Sequence, residues 1–289
     1  MSPRSKGILL MVLAGAMFSL LDSQAKEAIQ TLPVSVVVFF RYLIAVFMAA
    51  AVLWRTGTPQ LFLTRHPALQ VLRGLLLLMS TGLNFLALQY LQLAQTSAIA
   101  FTVPLWVCAL SVPLLGERVG LQRWTAVIVG FLGVLVIMRP GTGSFHWAMF
   151  MSLASALASA LYNIVTRKVG GRDRAETSLF YVSLFGAMFA AMPLHFQWQV
   201  PHGWQWLQLC GIALAGSLGH FSLIQAHRLA PASVLAPFSY TQIVSMIFMG
   251  YLLFGDLPDF WTLVGAAIVV ASGLFVFMRE QVLAQRKRA

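Results

Sequence analysis

The feature that most constrains this chain is an internal repeat. The stretch from residue 84 to residue 117 comes back, 136 positions later, as residues 220–256. Each copy has two apolar segments of helix length, joined by a few polar residues and closed by a glycine and an acidic residue. Such a duplication predicts a fold built from two related halves. The matched pairs are Phe85 with Phe221, Gln89 with Gln225, Ser97 with Ser233 and, after a slip, Gly116-Glu117 with Gly255-Asp256.

Composition places both halves in a membrane. Hydrophobic residues make up 59% of the 289 residues and charged residues only 9%, whereas soluble domains carry about 25% charged residues. Continuous apolar runs of about 20 residues predict spanning helices, which satisfy their own backbone inside lipid. We therefore expect an all-α membrane protein with ten transmembrane helices. The predicted spans are residues 7–29, 34–54, 69–90, 94–115, 120–138, 147–167, 176–194, 204–226, 230–254 and 259–278.

The basic residues predict the orientation. If the N-terminus is cytoplasmic, sixteen lysines and arginines lie on the cytoplasmic side, Lys26 and Arg139 lie outside, and Arg41 lies within a span. This bias predicts a multi-pass protein of the cell inner membrane with both termini in the cytoplasm. The net charge of +11 sits mainly in short connections between spans. We therefore expect the lipid bilayer, rather than nucleic acid, to be the partner of these charges.

The odd number of spans in each half gives the repeat a mechanical meaning. Residues 1–140 and 141–289 each hold five predicted spans, so the second half enters the membrane inverted. Inverted repeats provide two related states, open to opposite sides around a central site. This pattern favours a secondary transporter of a small molecule. An enzyme or a sensor is less favoured, because no span carries a metal-ligand cluster and no soluble output domain is present; we expect no cofactor, metal or obligatory protein partner.

The sequence resembles the drug/metabolite transporter superfamily, in its ten-helix branch with two EamA domains. The resemblance covers the whole chain. It rests on Arg41 in the second span, on the fourth span from Pro104 to the ending at residues 116–118, and on Gly133 and Gly273 late in the fifth and tenth spans.

The second half departs from the family pattern at three positions. Asp256 replaces the usual glutamate, and Tyr181 and Tyr240 stand opposite Arg41 and Pro104. The resemblance implies a central cavity lined by both halves, with the fifth and tenth spans at the periphery. It also implies export of amino acids or similar small metabolites, because the chain looks most similar to bacterial amino-acid exporters. Other cargo, such as nucleobases or drugs, stays open.

Two charges lie well inside the predicted spans. Asp22 and Arg41 each lie about seven residues, or roughly 10 Å, from the same membrane face. We expect them to form a buried ion pair, for which Lys26 is the competing partner of Asp22. The pair either locks the first two spans together or contacts the substrate or a proton. Because an aspartate paired with arginine stays ionised, and His220 is the other candidate proton site, we favour an uncoupled facilitator or exchanger over proton antiport.

Polar and aromatic residues at equivalent places in the two halves are the candidates for a substrate pocket. Amide and imidazole groups both donate and accept hydrogen bonds, which suits a zwitterionic amino acid, and aromatic walls are common in such pockets. The alternative to a substrate pocket is a structural role for these residues, in hydrogen bonds between neighbouring helices or in ordinary core packing. The substrate-binding candidates are Tyr42, Asn84, Trp106, Tyr162, His220, Tyr240 and Gln242.

Backbone breakers and small residues complete the sequence-based expectations. Pro104, Pro113 and Pro237 lie inside the fourth and ninth spans, where each removes a backbone hydrogen bond. We expect kinks there that either act as gates or are static. A serine stripe in the sixth span (residues 152, 155 and 159) predicts close helix packing.

Overall fold

The computed structural model describes residues 2–55, 64, 66–116, 119–169, 175–230 and 232–286. These residues form α-helices joined by short connections, with a 3₁₀ turn at Met192–His195. Ten stretches are long and apolar enough to cross a membrane, which confirms the predicted all-α membrane fold. The helices are α1 (Pro3–Ala28), α2 (Val34–Arg55), α3 (Pro67–Leu88), α4 (Leu93–Ala100), α5 (Val103–Leu115), α6 (Leu121–Met138), α7 (Ala148–Val169), α8 (Ala175–Ala190), α9 (Trp204–Leu229), α10 (Ala232–Ser239), α11 (Thr241–Phe254) and α12 (Phe260–Arg286).

The fourth and ninth spans are each broken into two helices at related places. Span four breaks at Phe101 and Thr102, between α4 and α5, and span nine breaks at Tyr240, between α10 and α11. Pro104 lies in the first turn of α5, where its missing N–H costs nothing. Pro237 lies inside α10, shortly before the break. Helix α5 continues through Pro113 to Leu115, so the kink expected at this proline stays a prediction.

The repeated glycine-acid motif ends α5 and α11. Gly116 (φ 67°) and Gly255 (φ 68°) both adopt the left-handed conformation at the helix C-cap. Glycine enters this region without steric cost, and the turn lets N–H groups reach carbonyls that the helix end leaves free. At the second site the N–H of Asp256 donates to the Gly250 carbonyl at 3.1 Å. The glycine of the motif therefore has the same structural role in both halves.

The two halves interlock, because the most extensive helix contacts run between them. Helix α1 packs against α9, α3 against α7 and α8, α2 against α8, and α6 against α12. In the repeat, α1 corresponds to α7, α3 to α9 and α5 to α11. The α1–α9 contact therefore corresponds to the α7–α3 contact, and the α1–α11 contact corresponds to the α7–α5 contact. The packing thus follows the twofold relation of the repeat. The proposed boundary between residues 140 and 141 lies in the connection from α6 to α7.

Helices α6 and α12 pair at the edge of the bundle. Their outer faces expose large apolar side chains such as Leu132 and Phe275, which suits contact with lipid. The pair crosses where two glycines meet: a Cβ added to Gly265 would lie 2.6 Å from the carbonyl oxygen of Gly133. The peripheral position expected for the fifth and tenth spans agrees with this packing.

Replacing Gly265 with alanine should destabilise the protein by about 1–3 kcal/mol, since the added methyl group meets backbone that cannot move aside. Gly82→Ala is the matched control, because a Cβ there would meet nothing within 4 Å and alanine favours a helix interior. Thermal unfolding of both variants in detergent tests the α6–α12 contact. Equal unfolding midpoints for the two variants would contradict it.

Candidate functional site

A cavity of about 220 Å³ lies between the two halves of the bundle. Its walls come from α1 to α5 in the first half and from α7 and α11 in the second. Asp22, Arg41, Asn84 and Gln242 all line it. We call the membrane face at which α1 ends the Ala28 face, and the opposite one the Pro3 face. Asp22 lies six residues before the end of α1 and Arg41 seven residues after the start of α2, so both are about 10 Å below the Ala28 face.

Asp22 and Arg41 share the cavity but do not form the direct ion pair that we predicted. The Asn84 side chain donates from Nδ2 to Oδ1 of Asp22 at 3.2 Å. Arg41 donates from Nη1 to the Thr81 hydroxyl. Lys26, the competing partner, binds Asp256 instead, at 2.7 Å. Depth along the helices brings the two charges into one cavity, whereas helix rotation gives each of them a neutral partner.

The Arg41 guanidinium is held by neutral groups. Its central carbon lies 5.0 Å from the ring centre of Tyr42 and 5.8 Å from that of Phe85, distances typical of cation–π contacts. The Tyr42 hydroxyl lies 3.0 Å from that of Thr81. Tyr42 therefore positions Arg41 by packing its ring against the guanidinium. The Tyr42 ring also packs on α8 beside Gly186.

Hydroxyl groups supply much of the remaining polar wall. Ser80, Thr96, Ser97 and Ser155 line the cavity, and the Ser155 hydroxyl donates to the Ser80 carbonyl at 2.7 Å. The Ser97 hydroxyl is buried and has no hydrogen-bond partner within the described residues. The serines of span six, which the sequence pattern predicts for helix packing alone, include Ser155 and Ser159, and these two also line the cavity.

Five of the seven predicted pocket residues lie outside the cavity wall, namely Tyr42, Trp106, Tyr162, His220 and Tyr240. The His220 ring packs edge-on against Phe18 at 5.1 Å, and Phe18 is the residue that lines the cavity. Trp106 points to the peripheral helix α6, where its ring lies 4.7 Å from that of Phe131. Tyr240 lies at the α10–α11 break, 4.9 Å from the ring of Phe101 at the α4–α5 break. The two helix breaks thus touch each other beside the cavity.

Tyr162 belongs to a separate polar cluster towards the Pro3 face. Arg73 is 5% exposed and donates to the Thr166 hydroxyl at 3.0 Å, to Gln70 Oε1 at 2.8 Å and to the Tyr162 hydroxyl at 3.3 Å. Gln70 in turn donates to Ser178 at 3.1 Å. This cluster ties α3 of the first half to α7 and α8 of the second.

The Ala28 face carries two ion pairs between the halves. Lys26 at the end of α1 binds Asp256 in the turn after α11, and Arg139 after α6 binds Asp259 before α12. Asp259 also accepts from the Thr262 N–H at 2.7 Å, which caps α12. Partial burial raises the pKa of the Asp259 carboxyl, but hydrogen bonds from Thr262 and Arg139 outweigh it and lower this pKa below its usual value.

Two interlocked, inverted halves of five spans each, around a polar central cavity, define a membrane transporter. The EamA-like transporter family matches residues 5–139 and 146–278, one match in each half. The chain belongs to this family, and it is a multi-pass membrane transporter rather than an enzyme.

Several relatives with transporter names match most of the chain. A riboflavin transporter of Vibrio cholerae is 30% identical over 98% of this chain and 96% of its own length. An S-adenosylmethionine uptake transporter of Rickettsia felis is 28% identical, covering 87% and 85%, and a pseudopaline exporter of Pseudomonas aeruginosa is 29% identical, covering 92% and 94%. A solved crystal structure with 18% identity matches 99% of both chains with a TM-score of 0.65, which supports the fold alone.

Proposed function

We propose that this transporter moves small zwitterionic metabolites, namely amino acids or compounds derived from them, across the cell inner membrane, and that it works as an exporter. The supporting observation is the separation of opposite charges in the cavity. Asp22 and Arg41 face the same space without neutralising each other directly. An ammonium group fits beside Asp22 and a carboxylate beside Arg41, because charge-assisted hydrogen bonds are the strong ones.

Alternating access of the cavity is the mechanism we propose. The broken helices of spans four and nine meet at Phe101 and Tyr240 and act as the moving gates, with Pro104 and Pro237 fixing the sites of the breaks. Lys26–Asp256 closes the Ala28 face and the Arg73 cluster closes the Pro3 face. With the N-terminus in the cytoplasm, as the basic residues favour, the Ala28 face is the outer one.

A flavin is the second candidate substrate. The riboflavin transporter of V. cholerae matches the chain at 30% identity over almost its full length. Against this candidate, Asp22 and Arg41 both line the cavity, and an uncharged ring system would offer neither of them a charge-assisted hydrogen bond from an opposite charge. The named cargoes of the relatives also differ from one another, so similarity alone does not choose between them.

Counterflow with the purified protein in liposomes separates these candidates. Three sets of liposomes are loaded with unlabelled compound: one with a mixture of amino acids, one with S-adenosylmethionine and one with riboflavin. Uptake of the same compound in labelled form is then followed for each set. We expect counterflow with a zwitterionic compound. Counterflow with riboflavin alone would replace the proposed substrate class, and the absence of counterflow with every zwitterion would overturn it.

A further inference from the structure

A second cavity, of about 230 Å³, lies at the Ala28 face. It is one helical turn beyond the central cavity, because α1 carries Asp22 in one and Lys26 in the other, and α3 carries Asn84 and then Leu88. We call it the mouth cavity. Its walls are Lys26, Ile29, Gln30, Leu88, Gln89 and Tyr90.

Lys26 is the charged residue of this wall. Its ammonium lies 2.7 Å from Asp256 Oδ2 and 4.7 Å from the ring centre of Phe254. The lysine side chain is 14% exposed and that of Asp256 is 28% exposed. A lysine ammonium carries three N–H donors, and Asp256 accepts one of them. Donors therefore remain for a ligand in the mouth cavity.

Helix ends add a second electrostatic feature. Helices α1 and α3 both end at the mouth cavity, and helix C-termini favour positive charge. A zwitterion matches both features if its carboxylate contacts Lys26 and its ammonium lies towards the helix ends. The Gln89 side chain, which also lines the cavity, supplies an amide donor and acceptor.

We propose that the mouth cavity is a second binding site, which takes the carboxylate of the transported metabolite and shares the Lys26 ammonium between that carboxylate and Asp256. The identity of the ligand rests on the proposed function. Occupation of the site weakens the Lys26–Asp256 contact, because the two carboxylates compete for one ammonium. Since this contact joins α1 to the turn between α11 and α12, binding also loosens the link between the two halves at this face.

Protection of a single cysteine tests the site directly. Gln30→Cys is introduced together with Cys108→Ala and Cys210→Ser, and the purified full-length protein is labelled in detergent with a neutral maleimide. The probes are S-adenosylmethionine and a mixture of the twenty standard L-amino acids, compared with a mixture of the corresponding amino-acid amides. We expect the carboxylate-bearing probes to slow labelling by about threefold or more once their concentration exceeds about twice the dissociation constant, and the amides to have no such effect.

Two pairs of variants assign the effect to Lys26. Lys26→Gln should abolish the protection, and Asp256→Asn should strengthen it because the ammonium loses its competitor. Arg139→Gln and Asp259→Asn are the matched controls, since they break the other ion pair on the same face and do not line the mouth cavity. Equal protection by amides, protection that survives Lys26→Gln, or no protection by any probe overturns the proposal.

Counterflow of the same compounds keeps this proposal separate from the proposed function. Asp22→Asn should lower counterflow by about tenfold or more and leave the protection of the cysteine introduced by Gln30→Cys intact, because Asp22 lines the central cavity and not the mouth cavity. Counterflow without protection would remove the second site and keep the transport function. Protection without counterflow in the otherwise unmutated protein would keep the second site and remove the transport function.

Discussion

Replacing Asp22 with asparagine should lower the rate of counterflow by about tenfold or more, because a hydrogen bond to a charged group contributes about 1.5–3 kcal/mol. Asparagine has nearly the shape of aspartate and can still accept the hydrogen bond from Asn84 Nδ2. The fold should therefore persist while the negative charge disappears. Arg41→Gln removes the other charge of the cavity and should have a similar effect.

The control for Asp22→Asn is Asp259→Asn. Asp259 lies in an ion pair outside the central cavity, and asparagine can still cap α12 through Thr262. Counterflow of this variant should stay near that of the unmutated protein. If Asp22→Asn unfolds at the usual temperature and transports at the usual rate, the charge of Asp22 plays no part in substrate binding.

Replacing Arg73 with alanine should have the largest effect on stability, about 2–4 kcal/mol. The change removes three side-chain hydrogen bonds and a packed guanidinium, and it leaves the partly buried hydroxyls of Tyr162 and Thr166 without their donor. The midpoint of thermal unfolding in detergent should fall by several degrees. Arg73→Lys should recover part of the loss, because an ammonium cannot reach all three acceptors at once.

Arg139→Ala is the matched control for Arg73→Ala. It also removes an arginine that bridges the two halves, but its partner Asp259 is 45% exposed, and exposed ion pairs contribute only about 0–1 kcal/mol. The same substitutions can be combined with Ala100→Cys, Cys108→Ala and Cys210→Ser and labelled with a thiol reagent from the Pro3 face, where Arg73→Ala should increase access to the central cavity. Equal unfolding midpoints for Arg73→Ala and Arg139→Ala would show that the Arg73 cluster does not hold the halves together.

The sequence was sufficient to predict the spans and the placement of Asp22, Arg41, Asn84 and Gln242. Apolar runs fix the number of helices, and a polar residue within a span usually faces the interior of the bundle. Depth along a helix also follows from counting residues, which brought Asp22 and Arg41 to the same level. The side-chain partner does not follow from depth, because it depends on which residues of the other helices face Asp22, and here Asn84 of α3 does so.

The remaining site residues depend on neighbours that are distant in sequence. Trp106 turns towards α6 because Phe131 offers its ring a packing partner there, and His220 stands behind Phe18. The sequence of α3 contains a pattern that predicts its contribution to the cavity wall. Leu77, Ser80, Thr81 and Asn84 follow each other at intervals of three and one and three residues, so they share one helix face, and all four line the cavity.

Access to the central cavity from both sides of the membrane is the most direct test of the transport mechanism. Ala100 lines the cavity, and Ala100→Cys, with Cys108→Ala and Cys210→Ser, adds only a small reactive group. Leu132→Cys on the lipid-facing side of α6 is the control. Labelling with a membrane-impermeant thiol reagent is compared in right-side-out and inside-out vesicles. Alternating access predicts that the cysteine introduced by Ala100→Cys reacts from both sides and that substrate changes the ratio of the two rates; reaction from one side only, under every substrate condition, would contradict it.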